Sequence, residues 1–232
     1  MIRIAILIIS SEEKERWVFE KSIWKQYMNS NKDIDCFFVE TDLSLPSKAV
    51  KLSKNLIQVG CEDGVMKGIF RKTILALQHL ENKYDFYIRT NLSTFWRFNL
   101  LIQALRGISP KEIFYGGWAW KDYIAGFAII LNKKACSLLV KEGIKHYDKA
   151  GRDDRLIGEI LRTSACDLPH TPLNNKCFYW GYEDSPLKDS IKTIKSDNRY
   201  IIRTLPHGEV YTPSTYATQQ DILHTLLKEF EN

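Results

Sequence analysis

An almost unbroken apolar run near the start of the chain constrains the fold more than any other feature of the sequence. Residues 2–9 are Ile, Ala or Leu at every position except Arg3. A strand that is apolar on both faces is typical of the centre of a parallel sheet covered by helices on both sides. The run falls short of the ~18 apolar residues of a membrane span, and no signal-peptide cleavage pattern follows it. We interpret it as a buried first strand.

Strand and helix patterns alternate after this first strand. Strands are predicted over 34–40, 56–59 and 84–89, and a long helix with apolar residues near helical spacing is predicted over about 65–81. This alternation predicts an α/β fold with a central, mostly parallel, doubly wound sheet flanked by helices. The second half is expected to add strands over 113–117, 123–131 and 199–203, and helices over 133–143, 153–162 and about 219–230.

Composition narrows the class of protein. The 232 residues are 44% hydrophobic, and no linker, repeat or low-complexity segment divides them, so we predict a single domain over 1–232. The net charge of +5 is spread along the chain, which argues against nucleic acid as a partner. Five cysteines without CxxC spacing argue against a zinc knuckle and indicate free thiols in a reducing compartment, and therefore a cytoplasmic location.

The nucleotide-binding glycine motifs do not occur in the sequence. Without GxGxxG or GxxxxGK[ST], a dinucleotide-dependent dehydrogenase and a P-loop kinase are disfavoured. Ligands of a doubly wound sheet bind beyond the carboxyl ends of its strands. Four parts of the chain are expected to converge there: the turn after the first strand, Glu62 and Asp63, the residues after strand 84–89, and the turn before Phe127.

Four segments occur in an order and spacing that are shared with a known family. Segment 62–73 carries Arg71 and Lys72, and segment 84–95 reads YDFYIRTNLSTF. Segment 123–133 contains Gly126, and segment 153–158 reads DDRLIG. Over roughly residues 1–165 the chain thereby resembles the β-1,3-galactosyltransferase and fringe group of GT-A glycosyltransferases. It is also similar to small glycosyltransferases encoded by large algal viruses.

The resemblance implies a GT-A fold and a hexosyltransferase activity. Such an enzyme moves a sugar from a nucleotide-sugar donor, UDP-linked, to a hydroxyl of a carbohydrate acceptor, with inversion. About residues 1–95 would form the donor half and 96–232 the acceptor half, and a viral enzyme would work in the host cytoplasm. The implied donor site comprises Ile9, Ser10, Glu62, Asp63, Arg71, Lys72, Arg89, Thr90, Asn91 and Ser93.

The sequence departs from the family where a divalent cation would bind. The family's acidic triplet, which holds the cation that bridges the donor phosphates, aligns with Asn91-Leu92-Ser93. One interpretation is a weak Mn²⁺ or Mg²⁺ site at Asn91, Ser93 and His207, although carboxylates are the preferred ligands of these ions. We favour metal-independent binding, in which basic side chains neutralise the diphosphate. A third interpretation makes Asn91 and Ser93 helix caps and His207 an ordinary loop residue. The basic candidates are Arg71, Lys72, Arg89 and Arg203.

Asp154 is the residue that the resemblance assigns to catalysis. It falls on the family's catalytic Asp, four residues before Gly158, and Asp153 takes the place of the family's Glu. An acceptor hydroxyl loses its proton as it attacks, so an inverting transferase needs a carboxylate base beside it. The alternative is that both aspartates only cap the start of a helix, where negative charge is favoured electrostatically.

Trp118 and Trp120 form the predicted acceptor platform, together with Gly126 and Asp153. Apolar faces of sugars stack on indole rings. The alternative is a pair of core tryptophans on either side of a turn.

Two other functions stay open at the level of the sequence. One is a non-catalytic sugar-nucleotide or glycan-binding protein, in which the missing carboxylates reflect lost activity. The other is a nucleotidyltransferase on a similar sheet. Such an enzyme normally has a glycine-rich basic loop after its first strand, where this chain has the acidic segment 10–14.

Overall fold

A mixed eight-stranded sheet forms the centre of the protein. We describe it from a computed structural model, which covers residues 2–10, 15–165, 170–179, 199–204 and 213–230. The strands of this sheet lie in the order β3-β4-β2-β1-β5-β8-β7-β9. Their bounds are β1 (Ile4–Ile9), β2 (Ile34–Thr41), β3 (Val50–Ser53), β4 (Leu56–Val59), β5 (Phe86–Asn91), β7 (Tyr115–Trp120), β8 (Tyr123–Asn132) and β9 (Thr171–Pro172).

The first strand occupies the middle of a parallel group, as its apolar sequence predicts. β1 pairs in parallel with β2 on one side and with β5 on the other, and β2 pairs in parallel with β4. All six residues of β1 are buried. β8 then runs antiparallel to both β5 and β7, so the sheet changes direction next to β5. The predicted α/β class is confirmed.

Helices cover both faces of this sheet. The helices are α1 (Glu15–Tyr27), α2 (Gly68–Leu80), α3 (Phe98–Leu105), α4 (Lys133–Gly143), α5 (Asp153–Ser164) and α6 (Pro213–Phe230). One core cluster joins α1, α3 and α6 to one face through residues such as Trp24, Leu101 and Ile222. The other cluster joins α2, α4 and α5 to the opposite face, for example through Phe70 and Ile157. Among the described helices, none has the length and apolar character to cross a bilayer.

A small second sheet lies beside the carboxyl end of β5. It consists of β6 (Thr94–Trp96), β10 (Cys177–Tyr179) and β11 (Ile201–Arg203), in the order β10-β11-β6. β6 and β11 run antiparallel, and Arg203 is paired with Thr94. Phe95 and Trp96 therefore belong to a strand and not to a helix capped by Asn91 and Ser93. The helix begins only at Phe98.

Candidate functional site

A cavity of about 570 Å³ opens where β5 ends. The last residue of β5, Asn91, lies beside Ile9 at the end of β1. The wall opposite is the first turn of α5, which packs on β8. The cavity is lined by Val65, Met66, Ile69, Arg89, Asn91, Trp118, Trp120, Tyr123, Ala125, Gly126, Phe127, Arg152, Asp153, Asp154, Arg155 and Arg203.

An irregularity in β8 builds one side of this cavity. β7 and β8 are in register from Tyr115 to Gly117, which pairs with Ile129, but Ala119 pairs with Ile124. Two steps along β7 therefore correspond to five along β8, and residues 125–128 have no pairing partner in β7, although Ala128 still pairs with Thr90 of β5. A bulge redirects backbone groups away from the neighbouring strand. Here it brings the Gly126 carbonyl to Arg89 and the Gly126 N–H to Asp154.

Arg89 is a buried cation at the floor of the cavity. Its side chain is only 3% exposed and forms an ion pair of 2.7 Å between Nη2 and Asp153 Oδ2. Nη1 donates to Asn91 Oδ1 at 2.6 Å and to the Gly126 carbonyl. A Cβ on Gly126 would lie 2.7 Å from Nη1, so glycine is needed for this close approach. The guanidinium thus ties together β5, β8 and α5.

The two aspartates of α5 have different environments. Burial raises the pKa of Asp153 above its ordinary value, and the Asp154 charge adds to this while the Arg89 guanidinium opposes it. Asp154 lies on the cavity wall, where Oδ1 accepts from the Arg155 N–H at 2.9 Å and Oδ2 accepts from the Gly126 N–H at 3.4 Å. Arg152 lies 3.3 Å from Oδ2 and is more than half exposed. Asp154 is therefore the carboxylate with partners that a substrate in the cavity can compete for.

Neither aspartate is the cap of α5. The N-cap position is Arg152, and no side chain caps the helix there. Both carboxylates lie in the first turn, where the helix dipole favours negative charge. The capping interpretation is therefore wrong, and the helix dipole alone does not explain why both acids are buried against a cavity.

Two stacked indole rings form the apolar wall. The ring centroids of Trp118 and Trp120 are 5.5 Å apart with an interplanar angle of 22°. Trp118 also packs on Phe127 at 5.5 Å and belongs to the core, whereas Trp120 is only partly buried. The core interpretation therefore fits Trp118, whereas Trp120 keeps part of its surface exposed and lines the cavity.

The oxygens at the expected metal position are bonded to arginines. Asn91 Oδ1 accepts from Arg89, and Ser93 Oγ accepts from Arg203, whose guanidinium also lies 5.2 Å from the Phe127 ring. Two neutral oxygens that each face a guanidinium do not fit a divalent cation, which prefers carboxylates. Within the described ranges no three His, Cys, Asp or Glu side chains form a metal-binding group. His207 lies outside the described residues.

Several predicted donor residues form a separate cluster at the end of β1. Lys72 is buried, and its Nζ donates to the Ser10 carbonyl at 3.0 Å and to Asp63 Oδ1 at 2.8 Å. The Ser10 hydroxyl donates to Glu40 at 2.8 Å. Glu62 is exposed nearby. The hydrogen bonds hold the end of β1 in place. The four predicted donor residues Ser10, Glu62, Asp63 and Lys72 do not line the cavity.

Other predicted donor residues serve structural contacts. Arg71 points at the loop after α4, where it bonds Asp148 at 2.6 Å and lies over the Tyr147 ring. Thr90 is buried and bonded to the Phe127 carbonyl and the Trp96 indole. Ile9 is part of the core.

Eight predicted site residues meet in the cavity, and the sequence left other lining residues out. Arg152 and Arg155 flank the aspartates in the chain, and this charge pattern was the available signal. Val65 and Met66 also line the cavity, but they were predicted to open a helix over 65–81, whereas α2 begins only at Gly68. The eight residues are Arg89, Asn91, Trp118, Trp120, Gly126, Asp153, Asp154 and Arg203.

Comparison with solved structures identifies the fold. The structure is similar to the apo form of the glycosyltransferase GlyE of Streptococcus pneumoniae TIGR4, with a TM-score of 0.53 over 99% of this chain at 10% sequence identity. This protein has a glycosyltransferase fold. A second GlyE structure gives a TM-score of 0.49 over the whole chain at the same identity.

The comparisons reach no further than the fold. This chain spans 64% of the length of the GlyE chains, which is less than two thirds. No family model and no curated protein matches the sequence. The resemblance to the fringe group and to viral enzymes, and the division into donor and acceptor halves, therefore stay predictions.

Proposed function

We propose that this protein transfers a sugar from a nucleotide-sugar donor, UDP-linked, to a hydroxyl of a carbohydrate acceptor with inversion. The observation that carries the proposal is the position of Asp154, a carboxylate that lines the same cavity as an indole pair at the carboxyl end of β5. In open α/β sheets this edge is where ligands bind. The buried free cysteines Cys36, Cys61, Cys136 and Cys177 support work in a reducing compartment, the cytoplasm.

The charged, polar and aromatic side chains that line the cavity indicate how the sugar would be transferred. The acceptor hydroxyl would lie against Trp120 and Asp154, so that Asp154 takes its proton as the oxygen attacks the anomeric carbon. The bond between that carbon and the diphosphate oxygen breaks, and the nucleoside diphosphate leaves with the electron pair. Arg203 and Asn91, which line the cavity, would stabilise the negative charge that develops on the leaving group.

Charge at the cavity supports binding of the donor without a metal. Its lining arginines outnumber its aspartates by two, which matches the two negative charges of a diphosphate diester. The four arginines are Arg89, Arg152, Arg155 and Arg203, and the two aspartates are Asp153 and Asp154.

Sugar transfer is therefore expected to be insensitive to removal of divalent cations. EDTA should change the initial rate by less than about twofold, since arginines rather than a metal stabilise the leaving group. The measurement is transfer with and without EDTA, then with Mn²⁺ or Mg²⁺ added back. A large loss in EDTA that either ion restores would contradict metal independence and favour the Asn91, Ser93 and His207 site.

Truncating Trp120 should weaken acceptor binding more than turnover. We expect Trp120→Ala to raise the KM for the acceptor about tenfold, because loss of ring stacking and apolar contact acts on ground state and transition state alike. Slow hydrolysis of the donor, which needs no acceptor, should stay unchanged. A matched control is Trp17→Ala, a partly buried tryptophan of α1 away from the cavity. If Trp120→Ala and Trp17→Ala raised the KM for the acceptor equally, the assignment of Trp120 to an acceptor platform would be contradicted.

The first experiment is a thermal-shift screen of nucleotide sugars, followed by transfer assays with the donors that stabilise the protein. A stabilising donor that is also consumed supports transfer. The replacement of the family's carboxylates by Asn91 and Ser93 favours one other function, a non-catalytic sugar-nucleotide or glycan-binding protein. Donor binding without turnover would identify that function.

A further inference from the structure

The orientation of the Asn91 side-chain amide is fixed by its neighbour. Arg89 Nη1 lies 2.6 Å from the Asn91 side chain. An arginine side chain has only N–H donors, so the atom that faces it must be the amide oxygen, Oδ1. The amide nitrogen, Nδ2, is therefore the other end of the group. In the described part of the chain no acceptor bonds Nδ2, and Asn91 lines the cavity.

Arg89 itself is held too firmly to allow the amide to turn. Nη1 also donates to the Gly126 carbonyl, and Nη2 pairs with Asp153 at 2.7 Å. The side chain is 3% exposed and is surrounded by β5, β8 and α5. Turning the amide would bring its N–H₂ group against a guanidinium, which leaves buried donors facing each other.

We infer that Asn91 donates a hydrogen bond from Nδ2 to a diphosphate oxygen of the donor, and that Arg89 is the positioning residue that sets this polarity without contacting the ligand. The inference rests on the proposed nucleotide-sugar site and deepens it. A carboxylate at position 91 would offer oxygens to a cation, whereas the fixed amide offers protons to an anion. The ligand class at this position is thus a nucleoside diphosphate free of metal.

The test measures binding of UDP, GDP and ADP by isothermal titration, in EDTA and in Mn²⁺. For the diphosphate that binds, Asn91→Ala should weaken affinity about tenfold in EDTA, because a hydrogen bond to a charged group is lost. Asn91→Asp should weaken it further in EDTA and recover in part with Mn²⁺, since a carboxylate repels phosphate but binds the ion. Asn99→Ala, on an exposed asparagine of α3, is the control. Affinity of Asn91→Ala or Asn91→Asp within about twofold of wild type in EDTA would overturn the inference.

The role of Arg89 is tested by coupling. Arg89→Met with Asp153→Asn removes both charges of the buried pair together, so that neither is left without a partner. In this double variant the side-chain amide of Asn91 is no longer held in one orientation. Adding Asn91→Ala should then weaken diphosphate binding little, whereas in wild type it weakens binding about tenfold. An equal cost in both backgrounds would overturn the positioning role. If the double variant does not fold, the Asn91→Ala and Asn91→Asp series still decides the inference.

Transfer assays on the same preparations separate this inference from the proposed function. Diphosphate binding that depends on Asn91 in a protein without transfer activity would overturn the transferase and leave the inference standing. Active transfer, together with diphosphate binding that does not change when Asn91 is replaced, would overturn the inference and leave the transferase standing. Failure of wild type to bind any of the three diphosphates would overturn both.

Discussion

Asp154→Asn is expected to lower the turnover of sugar transfer by about 10²- to 10⁴-fold, the range that a positioned general base contributes. Asparagine has the same shape and can still accept from the Arg155 N–H, but it cannot take a proton from the acceptor hydroxyl. Donor affinity should stay largely intact, because the donor's diphosphate is expected at Asn91 and Arg203 and not at the start of α5. Turnover and affinity thus respond differently to one substitution.

The measurement combines transfer kinetics at saturating donor with titration of the donor itself. Glu159→Gln is the matched control, since Glu159 is a carboxylate of the same helix that pairs with Lys149 on the surface. It should leave turnover unchanged. Normal turnover of Asp154→Asn would remove this residue as the base. Donor binding by a wild-type protein that shows no transfer would instead favour the binding protein.

The fold was predictable where local sequence and tertiary position agree. β1 is apolar on both faces and lies in the middle of the sheet, and α4 spans Lys133–Gly143 as predicted, with Asn132 as its cap. β6 was missed because Phe95 and Trp96 carry no strand pattern of their own. Thr, Phe and Trp favour strands, but three residues are too few to show an alternating pattern. β6 is recognisable only through its pairing with β11, more than a hundred residues later.

Several residues that line the site could be predicted from the sequence, but the orientation of the elements that carry them could not. Asp154 and Asn91 were predicted from the order of the four segments, and the two tryptophans from the stacking of sugars on indole rings. All four residues line the cavity. Arg71 and Lys72 are adjacent in sequence, so they project from α2 in different directions, one toward Tyr147 and one toward Ser10. Which of the two side chains reaches the sheet edge where ligands bind depends on the rotation of α2 about its axis. The amino-acid composition does not determine that rotation. The bulge of β8 is likewise set by the pairing of two strands.

Gly117→Ala should be the most destabilising single-methyl change among the three glycines compared below. Gly117 precedes the bulge and has a φ of +144°, a region that side chains rarely adopt. A Cβ there would lie 1.6 Å from the Ala128 carbonyl oxygen and 2.6 Å from Ile124 Cγ2. Both atoms belong to β8, the strand that pairs with β7, so a Cβ at position 117 fits only if the two strands move apart. We expect a loss of about 3 kcal/mol or more in the free energy of unfolding.

Two other glycines separate backbone strain from steric overlap. Gly64 has a φ of +130° but nothing within 4 Å of an added Cβ, so Gly64→Ala should cost only the strain, about 1 kcal/mol. Gly107→Ala meets only the Ala104 carbonyl at 3.6 Å and should cost less than about 0.5 kcal/mol. Urea unfolding of the three variants gives the comparison directly. If Gly117→Ala cost no more than Gly64→Ala, the ladder could yield at the bulge, and the wall that carries Trp118 would be a movable part of the site rather than a fixed one.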